Sequence, residues 1–590
     1  MAHASENSKR LSLEKHVVFR LTGLGRTVSK ASDVYLFHFP EGRTDRDAMN
    51  SDGAFEKLGR FIEGLDSNST VCFFTSPPDA ARLQMYLDEQ LKFQLWVTVK
   101  TPLQVANHGA HPQQHAALLV FTRYRTSLQH TKTRIAYTYC PACGKTTKDY
   151  GGKKHVYHEY GTLMSDVWRD IEVDPSSDIM DVVDRVRDLF GIEGYNSLSV
   201  VDLKKCSDLL PKEEKLVKQQ VPLFESKPPK LKSGQLLING DSLKELKKIP
   251  SNSVDFCFTD PPYNLEKKYD NYHDALELRE YFAWCDKWLS QLARVIKPGR
   301  TVAILNIPLW AIRHYQQLCK ELDFQSWIVW EAMGLPVRMI MPSHYSIVCF
   351  SKGQPRNLPY LMNDHFSEIE KESLLPLGES YCLRASCINN RMKRRIDDRG
   401  KLSDLWYDIH RLKHNTRRVE HPTQLPPMLM RRLYSIFTKQ GETILDCFNG
   451  SGTSTLVAQQ MNRQFVGIEL SERYHKLAEK RHHELSMGHD PFGKKEVIPK
   501  AKNSRVPRMV KQQYKVSKKV LQLEVRRIAQ RLNRLPTREE VRVMSKFPIK
   551  YYDDYFISWG EVCAAARTTG MSEYPADKTS IGEQTRLFTD

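Results

Sequence analysis

Between residues 235 and 488 the chain alternates short apolar runs with longer amphipathic stretches. The run Val254-Asp-Phe-Cys-Phe-Thr259 is almost wholly apolar and rich in β-formers, as expected of a strand covered on both faces. Glu280 to Arg294 carries helical spacing. Pro298-Gly299-Arg300 predicts a turn into a strand over Thr301 to Leu305. A helix is expected near residues 310–322, and paired strands near 327–330 and 345–350. Downstream, Thr443-Ile-Leu-Asp446 reads as a strand, Gly450 and Gly452 as a turn, and the residues after Thr453 as a helix. Phe465-Val-Gly-Ile-Glu469 reads as the next strand. This alternation predicts an α/β class with a mostly parallel, covered sheet.

The same pattern occurs twice. Val71 to Leu83 aligns without a gap onto Val302 to His314, and Leu91 to Trp96 onto Leu322 to Trp327, 231 residues apart. Upstream, Asp33 to Phe37 lies best on Asp255 to Thr259, at 222 residues, which sets His38 against Asp260. Later, Ser165-Asp-Val-Trp-Arg-Asp-Ile171 echoes Ser403-Asp-Leu-Trp-Tyr-Asp-Ile409, but no glycine-rich turn follows the first of these. Residues 1–205 therefore read as a degenerate half that keeps a scaffold without its chemistry. Residues 206–232 read as a linker, and residues 233–490 as the active domain, with an insert at about 352–420. A basic tether follows over 491–520, which includes Lys518 and Lys519, then a helical segment over 521–572 and a tail over 573–590. Thr537-x-x-Glu540 and Ser558-x-x-Glu561 predict capping boxes for two short helices.

Composition narrows the partner. There are 88 Lys+Arg against 70 Asp+Glu, a formal net charge of +18, which favours a polyanion such as nucleic acid. Twelve cysteines in 590 residues do not make a disulfide scaffold. No apolar run approaches membrane-spanning length, and the first ten residues are polar, so a reduced, cytoplasmic protein is expected.

The candidate chemistry sits at strand ends. Asp260-Pro261-Pro262-Tyr263 closes an apolar strand with a carboxylate, two rigid residues and an aromatic. Such a platform suits a flat ring bearing an exocyclic amine. The Asp260 carboxylate and the Pro261 carbonyl would accept its N–H bonds, and Tyr263 would stack on the ring. That amine's lone pair is delocalised into the ring, so the two acceptors would turn it toward an electrophile. A base in a duplex must first be flipped out. The glycine turn lacks the Gly-Lys-Ser/Thr of a P-loop, and Thr455 stands where a dinucleotide site wants a small residue. Glu469, 17 residues past Gly452, can accept both hydroxyls of a ribose. A nucleoside cofactor such as S-adenosylmethionine fits this set.

These motifs, Asp260 to Tyr263, Phe448-Asn-Gly-Ser-Gly-Thr453 and Phe465 to Glu469, resemble the amino-methyltransferases of DNA. The order, platform before glycine turn, is similar to their β class. That resemblance implies a Rossmann-like methyltransferase fold, circularly permuted, with S-adenosylmethionine as cofactor and duplex DNA as substrate. It implies cofactor contacts for Asp241, Asp446, Phe448, Gly450, Gly452, Thr453 and Glu469, with His421 to Pro426 closing over the cofactor's methionine end. By family usage Asp260 implies adenine N6, in a restriction–modification setting with a cognate endonuclease. Cytosine N4 is the alternative, and a non-catalytic DNA-binding regulator is an alternative of another class. Cys447 departs from the family's usual Pro. Leu521 to Gly570 resembles the helical repeat associated with homing endonucleases, which implies DNA binding.

Two further groups stand out. Arg391, Lys393, Arg394, Arg395, Lys413, Arg417 and Arg418 lie where the β class carries target recognition, and suit phosphate contact; an ordinary solvated basic face is the alternative. Cys140-Pro-Ala-Cys143 resembles a zinc knuckle, with His155 and His158, or Cys382 and Cys387, as the other half of a structural zinc site; unpaired structural cysteines are the alternative. Monomer and dimer are both open.

Overall fold

The computed structural model describes residues 17–20, 33–38, 52–105, 109–123, 133–146, 161–192, 198–202, 234–265, 276–332, 342–362, 366–412, 424–493 and 518–567, with single positions between them (residues 177, 397 and 557 excepted). The chain divides into two compact units, 1–499 and 500–590, so both halves of the repeat belong to one unit.

The first half builds strands β1 (Val17–Arg20), β2 (Val34–His38), β3 (Thr70–Thr75), β4 (Lys92–Gln104) and β5 (Gln113–Thr122). Small ribbons β6 (Arg134–Ile135) with β9 (Thr162–Leu163), and β7 (Tyr139–Cys140) with β8 (Lys145–Thr146), lie aside. β10 (Val167–Trp168) and β11 (Leu198–Asp202) complete it. The second half builds β12 (Gln235–Asn239), β13 (Val254–Thr259), β14 (Ile296–Asn306), β15 (Asp323–Glu331), β16 (His344–Ser351), β17 (Leu405–Trp406), β18 (Thr443–Asp446) and β19 (Gln464–Glu469). Among the described residues the sheet orders are β1-β11-β2-β3-β5-β4-β10 and β12-β19-β18-β13-β14-β16-β15-β17. From β11 and β18 onward the two orders correspond strand for strand, with the β3–β5–β4 and β14–β16–β15 pairings antiparallel in each.

The registers also correspond. Val34 opposes Thr70 and Tyr35 opposes Val71, as Phe256 opposes Thr301 and Cys257 opposes Val302. His38 thus falls where Asp260 follows Thr259. Both copies shift register at the same place, between Phe93 and Leu95 and between Phe324 and Ser326. Two details depart from expectation. β14 begins at Ile296, because Ile296 pairs with Val254 before the ladder shifts to Phe256 and Thr301. The turn at Gly299 (φ +70°) is therefore a bulge inside the strand. The following helix is Pro308–Leu318, its first turn set by Pro308, as Pro77 sets the helix Pro77–Leu87.

The halves pack as near copies about a pseudo-twofold. One hydrophobic cluster runs through both, and Trp96 stacks on its counterpart Trp327 at 4.8 Å and 11°. Beside this stack two buried contacts are exchanged. His115 Nδ1 lies 2.9 Å from Asp404 Oδ2, and His344 Nδ1 lies 2.9 Å from Asp166 Oδ2. The remaining carboxylate oxygens are used alike: Gln114 N–H donates to Asp404 Oδ1 at 2.7 Å and Ser343 N–H to Asp166 Oδ1 at 2.8 Å. The insert also meets the first half, where Lys100 pairs with Glu379 at 2.8 Å.

The second unit is described by itself. It forms helices Lys518–Leu532, Arg538–Met544, Ile549–Tyr555, Trp559–Val562 and Ala564–Arg567 around Val525, Ile528, Val541 and Tyr552. Lys518 and Lys519 open the first helix rather than ending a tether. Thr537 and Glu540 form the expected capping box. Ser558 caps its helix through Glu561 N–H, while the Glu561 carboxylate pairs with Lys518 at 3.2 Å. The other tether lysines lie outside the described residues. No helix among the described residues is long and apolar enough to cross a membrane.

Replacing Asp166 or Asp404 by Ala leaves a buried N–H without its acceptor and removes the carboxylate beside a buried histidine. Each change should cost about 3–5 kcal/mol, the two by similar amounts, while Lys476→Ala, which breaks only a surface pair with Glu472, should leave the melting temperature unchanged. Thermal unfolding of the three variants checks this.

Candidate active site

The strands β12, β19, β18, β13 and β14 run parallel, so their carboxyl ends share one rim. The sequence order is broken where β13 meets β18, pairing Phe256 with Ile444 and Cys257 with Leu445. A crevice at such a switch point is where an open α/β sheet takes its ligand. A cavity lies there, and each strand end delivers an acid to it. These are Asp241 after β12, Asp260 after β13, Asp446 ending β18 and Glu469 ending β19. The cavity's other walls include Phe448, Gly450 and Thr453, which were expected there, and Phe258 and Trp284.

The glycine turn is built by conformation and close approach. Gly450 has φ +53° and Gly452 φ +82°, both in the region glycine adopts without strain. A Cβ on Gly450 would stand 2.8 Å from His421 Nε2, and one on Gly452 would stand 2.9 Å from Ala478 Cβ. Gly452 thus caps the helix Thr453–Gln460 and packs on the neighbouring helix rather than lining the cavity. Arg481, which is buried, donates to the Ser451 carbonyl at 2.6 Å and so braces the turn from behind. His421 packs edge-on against Tyr474 at 4.6 Å and, with Gln424 and Leu425, closes one side of the cavity.

Each carboxylate is held. Glu469 Oε2 accepts Gly450 N–H at 2.7 Å, and Oε1 accepts Ser471 N–H at 2.8 Å. Burial pushes its acid up from the usual range, against those two donors. Asp241 caps the short helix after β12 by accepting Lys244 N–H at 3.0 Å. Asp446 accepts from Ser454 Oγ, and from Phe448 N–H at 3.0 Å. Full burial pushes Asp446 up to about 7, with these donors lowering it and the charge of Asp260 raising it.

The platform is held from below. Tyr263 OH donates to Asp260 Oδ1 at 2.6 Å, Trp310 Nε1 donates to the Tyr263 carbonyl at 2.8 Å, and Tyr281 OH to the Pro262 carbonyl at 2.7 Å. Asp260 and Pro262 face the cavity. Tyr263 differs from the expected stacking residue: it is 6% exposed and lies behind Asp260, beside Tyr345. Arg411 covers Tyr345 at 5.4 Å, a basic residue near the platform that sequence reasoning passed over.

The expected recognition arginines divide. Arg391 is 1% exposed and bound to Asp398 at 2.8 Å, so it is a structural group, not one offered to phosphate. Lys393, Arg394 and Arg395 end the same helix (Ala385–Lys393) at the surface. Lys413, Arg417 and Arg418 lie outside the described residues. Cys140, Cys143, Cys382 and Cys387 converge, their Sγ atoms all within 4.8 Å of one another; His158 is not among them and His155 lies outside the described residues. Trp284, Tyr474, Ser454 and Arg481 were not singled out from the sequence. Trp284 and Tyr474 sit on amphipathic helices as ordinary packing aromatics would, and Arg481 lies in a run of charged residues that gives no sign of burial.

Comparison with known proteins agrees with this geometry. Residues 254–480 match the family model of the N6/N4 DNA methylases. The chain is 31% identical over 253 residues to the type II methyltransferase M.HpaI of Haemophilus parainfluenzae, covering 42% of this chain and 74% of that one. The chain belongs to this DNA methylase family. It is also 33% identical over 239 residues to the type II methyltransferase M.BamHI of Bacillus amyloliquefaciens, covering 40% of this chain and about half (54%) of the length of that relative. The DNA adenine methyltransferase YhdJ of Escherichia coli K12 matches at 28% over 253 residues, 42% of this chain and 81% of that one. The matched stretches are short of half this methylase, and the family model spans the platform, the glycine turn and Glu469.

The donor set of the cavity selects a kind of cofactor. Four carboxylates and no Lys or Arg line it among the described residues. That repels a phosphate and suits a nucleoside carrying positive charge, its ring against Phe448 or Trp284 and its ribose on Glu469. S-adenosylmethionine has these parts. A cation bound beside Asp446 favours the ionised acid, so below about pH 7 binding must release a proton. Affinity for S-adenosylmethionine should therefore rise with pH up to about 7 and level off above it, and Asp446→Asn should flatten the profile. Calorimetric titration across that range tests this; affinity falling as pH rises would contradict it.

Proposed function

We propose that this chain transfers a methyl group from S-adenosylmethionine to the N6 amine of adenine in duplex DNA, as the modification enzyme of a restriction–modification system with a cognate endonuclease. One observation carries the reading: Asp260 opens into the same acidic cavity as Asp241, Asp446 and Glu469. The adenine-N6 assignment rests on Asp260 and on a relative whose printed name is a DNA adenine methyltransferase; cytosine N4 is the competing outcome of the test below.

When bound, the cofactor supplies an activated methyl group on a sulfonium. The protein's residues do the rest. Tyr263 fixes Asp260 through Oδ1, and the Asp260 carboxylate accepts an N–H of the flipped base. The second N–H goes to the Pro261 carbonyl, which the proline pair holds rigid. With both hydrogens committed, the amine lone pair points toward the methyl group; the new N–C bond forms as the C–S bond breaks, and the spare amine proton leaves toward Asp260. Asp446 and Glu469 hold the cofactor, while His421 covers the glycine turn and keeps water out.

The fold belongs to the circularly permuted β class in this reading, since the platform strand precedes the cofactor strands. The first half is a degenerate copy that takes the place of a second subunit, with His38 in the position of Asp260. Lys393, Arg394 and Arg395 contact phosphate, and the C-terminal helical unit also binds DNA.

Purified protein should transfer labelled methyl to duplex DNA, and Asp260→Ala should abolish transfer while DNA affinity is kept. The loss should exceed about a hundredfold, as removal of a group that acts on the reacting atoms does. Digestion of the product to nucleosides identifies the base; methylcytosine would replace adenine N6 by cytosine N4, and normal transfer by the Asp260 variant would overturn the mechanism.

A further inference from the structure

Cys140 and Cys143 come from the β7–β8 ribbon of the first half. Cys382 and Cys387 come from the insert of the second, the latter on the helix Ala385–Lys393. Two of the separations cross between the halves: 3.8 Å for Cys140 with Cys387, and 3.7 Å for Cys143 with Cys382. A disulfide needs about 2.05 Å. Four sulfurs about 2.3 Å from one zinc ion in a tetrahedron stand about 3.8 Å apart. The observed spacing is the second kind.

Donors surround the cluster. Every one of the four sulfurs has an N–H aimed at it. Cys382 N–H reaches Cys140 at 3.3 Å, Arg384 reaches Cys382 at 3.4 Å and Cys143 at 3.2 Å, and Arg391 reaches Cys387 at 3.0 Å. A neutral thiol is a weak acceptor, so a donor on every sulfur suits ligand sulfurs better than idle thiols. Four thiolates in contact repel, so they require a cation at their centre. Gly144 (φ +62°) donates its N–H to the Cys140 carbonyl at 2.9 Å, which folds the knuckle so that both its sulfurs face one way.

We propose that these four cysteines bind one structural zinc ion that staples the first half to the insert of the second. The ion neutralises charge that would otherwise separate the halves, and Arg384 and Arg391 orient and balance the tetrathiolate from outside it. By fixing the helix Ala385–Lys393, the site also fixes the surface tip Lys393-Arg394-Arg395.

The test is metal analysis of full-length protein expressed with zinc present and dialysed exhaustively without chelator. About one zinc per chain is expected, and Cys143→Ser and Cys382→Ser, one from each half, should each lose it and lower the melting temperature. A variant that fails to fold leaves the wild-type readouts standing: bound zinc, and four thiols that react with a thiol reagent only after the metal is removed. Folded wild-type protein without metal, two cross-half disulfides found by mass spectrometry, or iron at one per chain would each overturn the proposal.

Discussion

The structure depends on one pairing, β13 against β18. Two segments separated by most of the second half, Phe256 and Cys257 on one side and Ile444 and Leu445 on the other, must lie side by side and parallel. Parallel strands expose their carboxyl ends together. Because β12 and β19 continue the parallel set, four acids that are scattered along the chain become one rim. The chemistry of the cavity is therefore a consequence of sheet order, and the glycine turn supplies a stretch of backbone that can approach a ligand closely. Without that pairing Asp260 would be a capped strand end and Glu469 an ordinary buried acid.

A second constraint acts on the scaffold around it. The Trp96–Trp327 stack and the exchanged His–Asp contacts tie each half to the other through equivalent residues. Neither half buries these groups alone, since each histidine finds its carboxylate only across the axis. Such ties would hold a half in place whether or not it carries chemistry. His38 stands where Asp260 would, yet Tyr35 and Phe37 remain in the common core. The cysteine cluster lies across the same junction and would hold the contact there.

Much of this was legible in the sequence because periodicity and strand-end chemistry are local signals. The runs at 254–259, 443–446 and 464–469 are apolar strands followed by acids or glycines, and they form as expected. The repeat was legible because burial preserves the same residue types, Trp96 with Trp327 and Phe93 with Phe324. What failed was anything decided by tertiary partners. Arg391 looks like its basic neighbours in the sequence, and only Asp398 and the Cys387 sulfur make it a buried structural group. Tyr263 looks like a stacking ring, but its hydroxyl finds Asp260 and draws it inward. Gly299 signals a turn, yet the ladder runs through it as a bulge. Trp284 and Arg481 carry no local mark, because a helix gives no sign of which face meets segments brought to it by the fold.

The central claim is that each chain carries one methyl-transfer site and supplies its own partner half. A single-turnover burst measured on duplex DNA, with the protein concentration known, tests it most directly. The account predicts one methyl group transferred per chain. Two per chain would mean that the first half is also active, and one per two chains would make a dimer the working unit; either result would contradict the account.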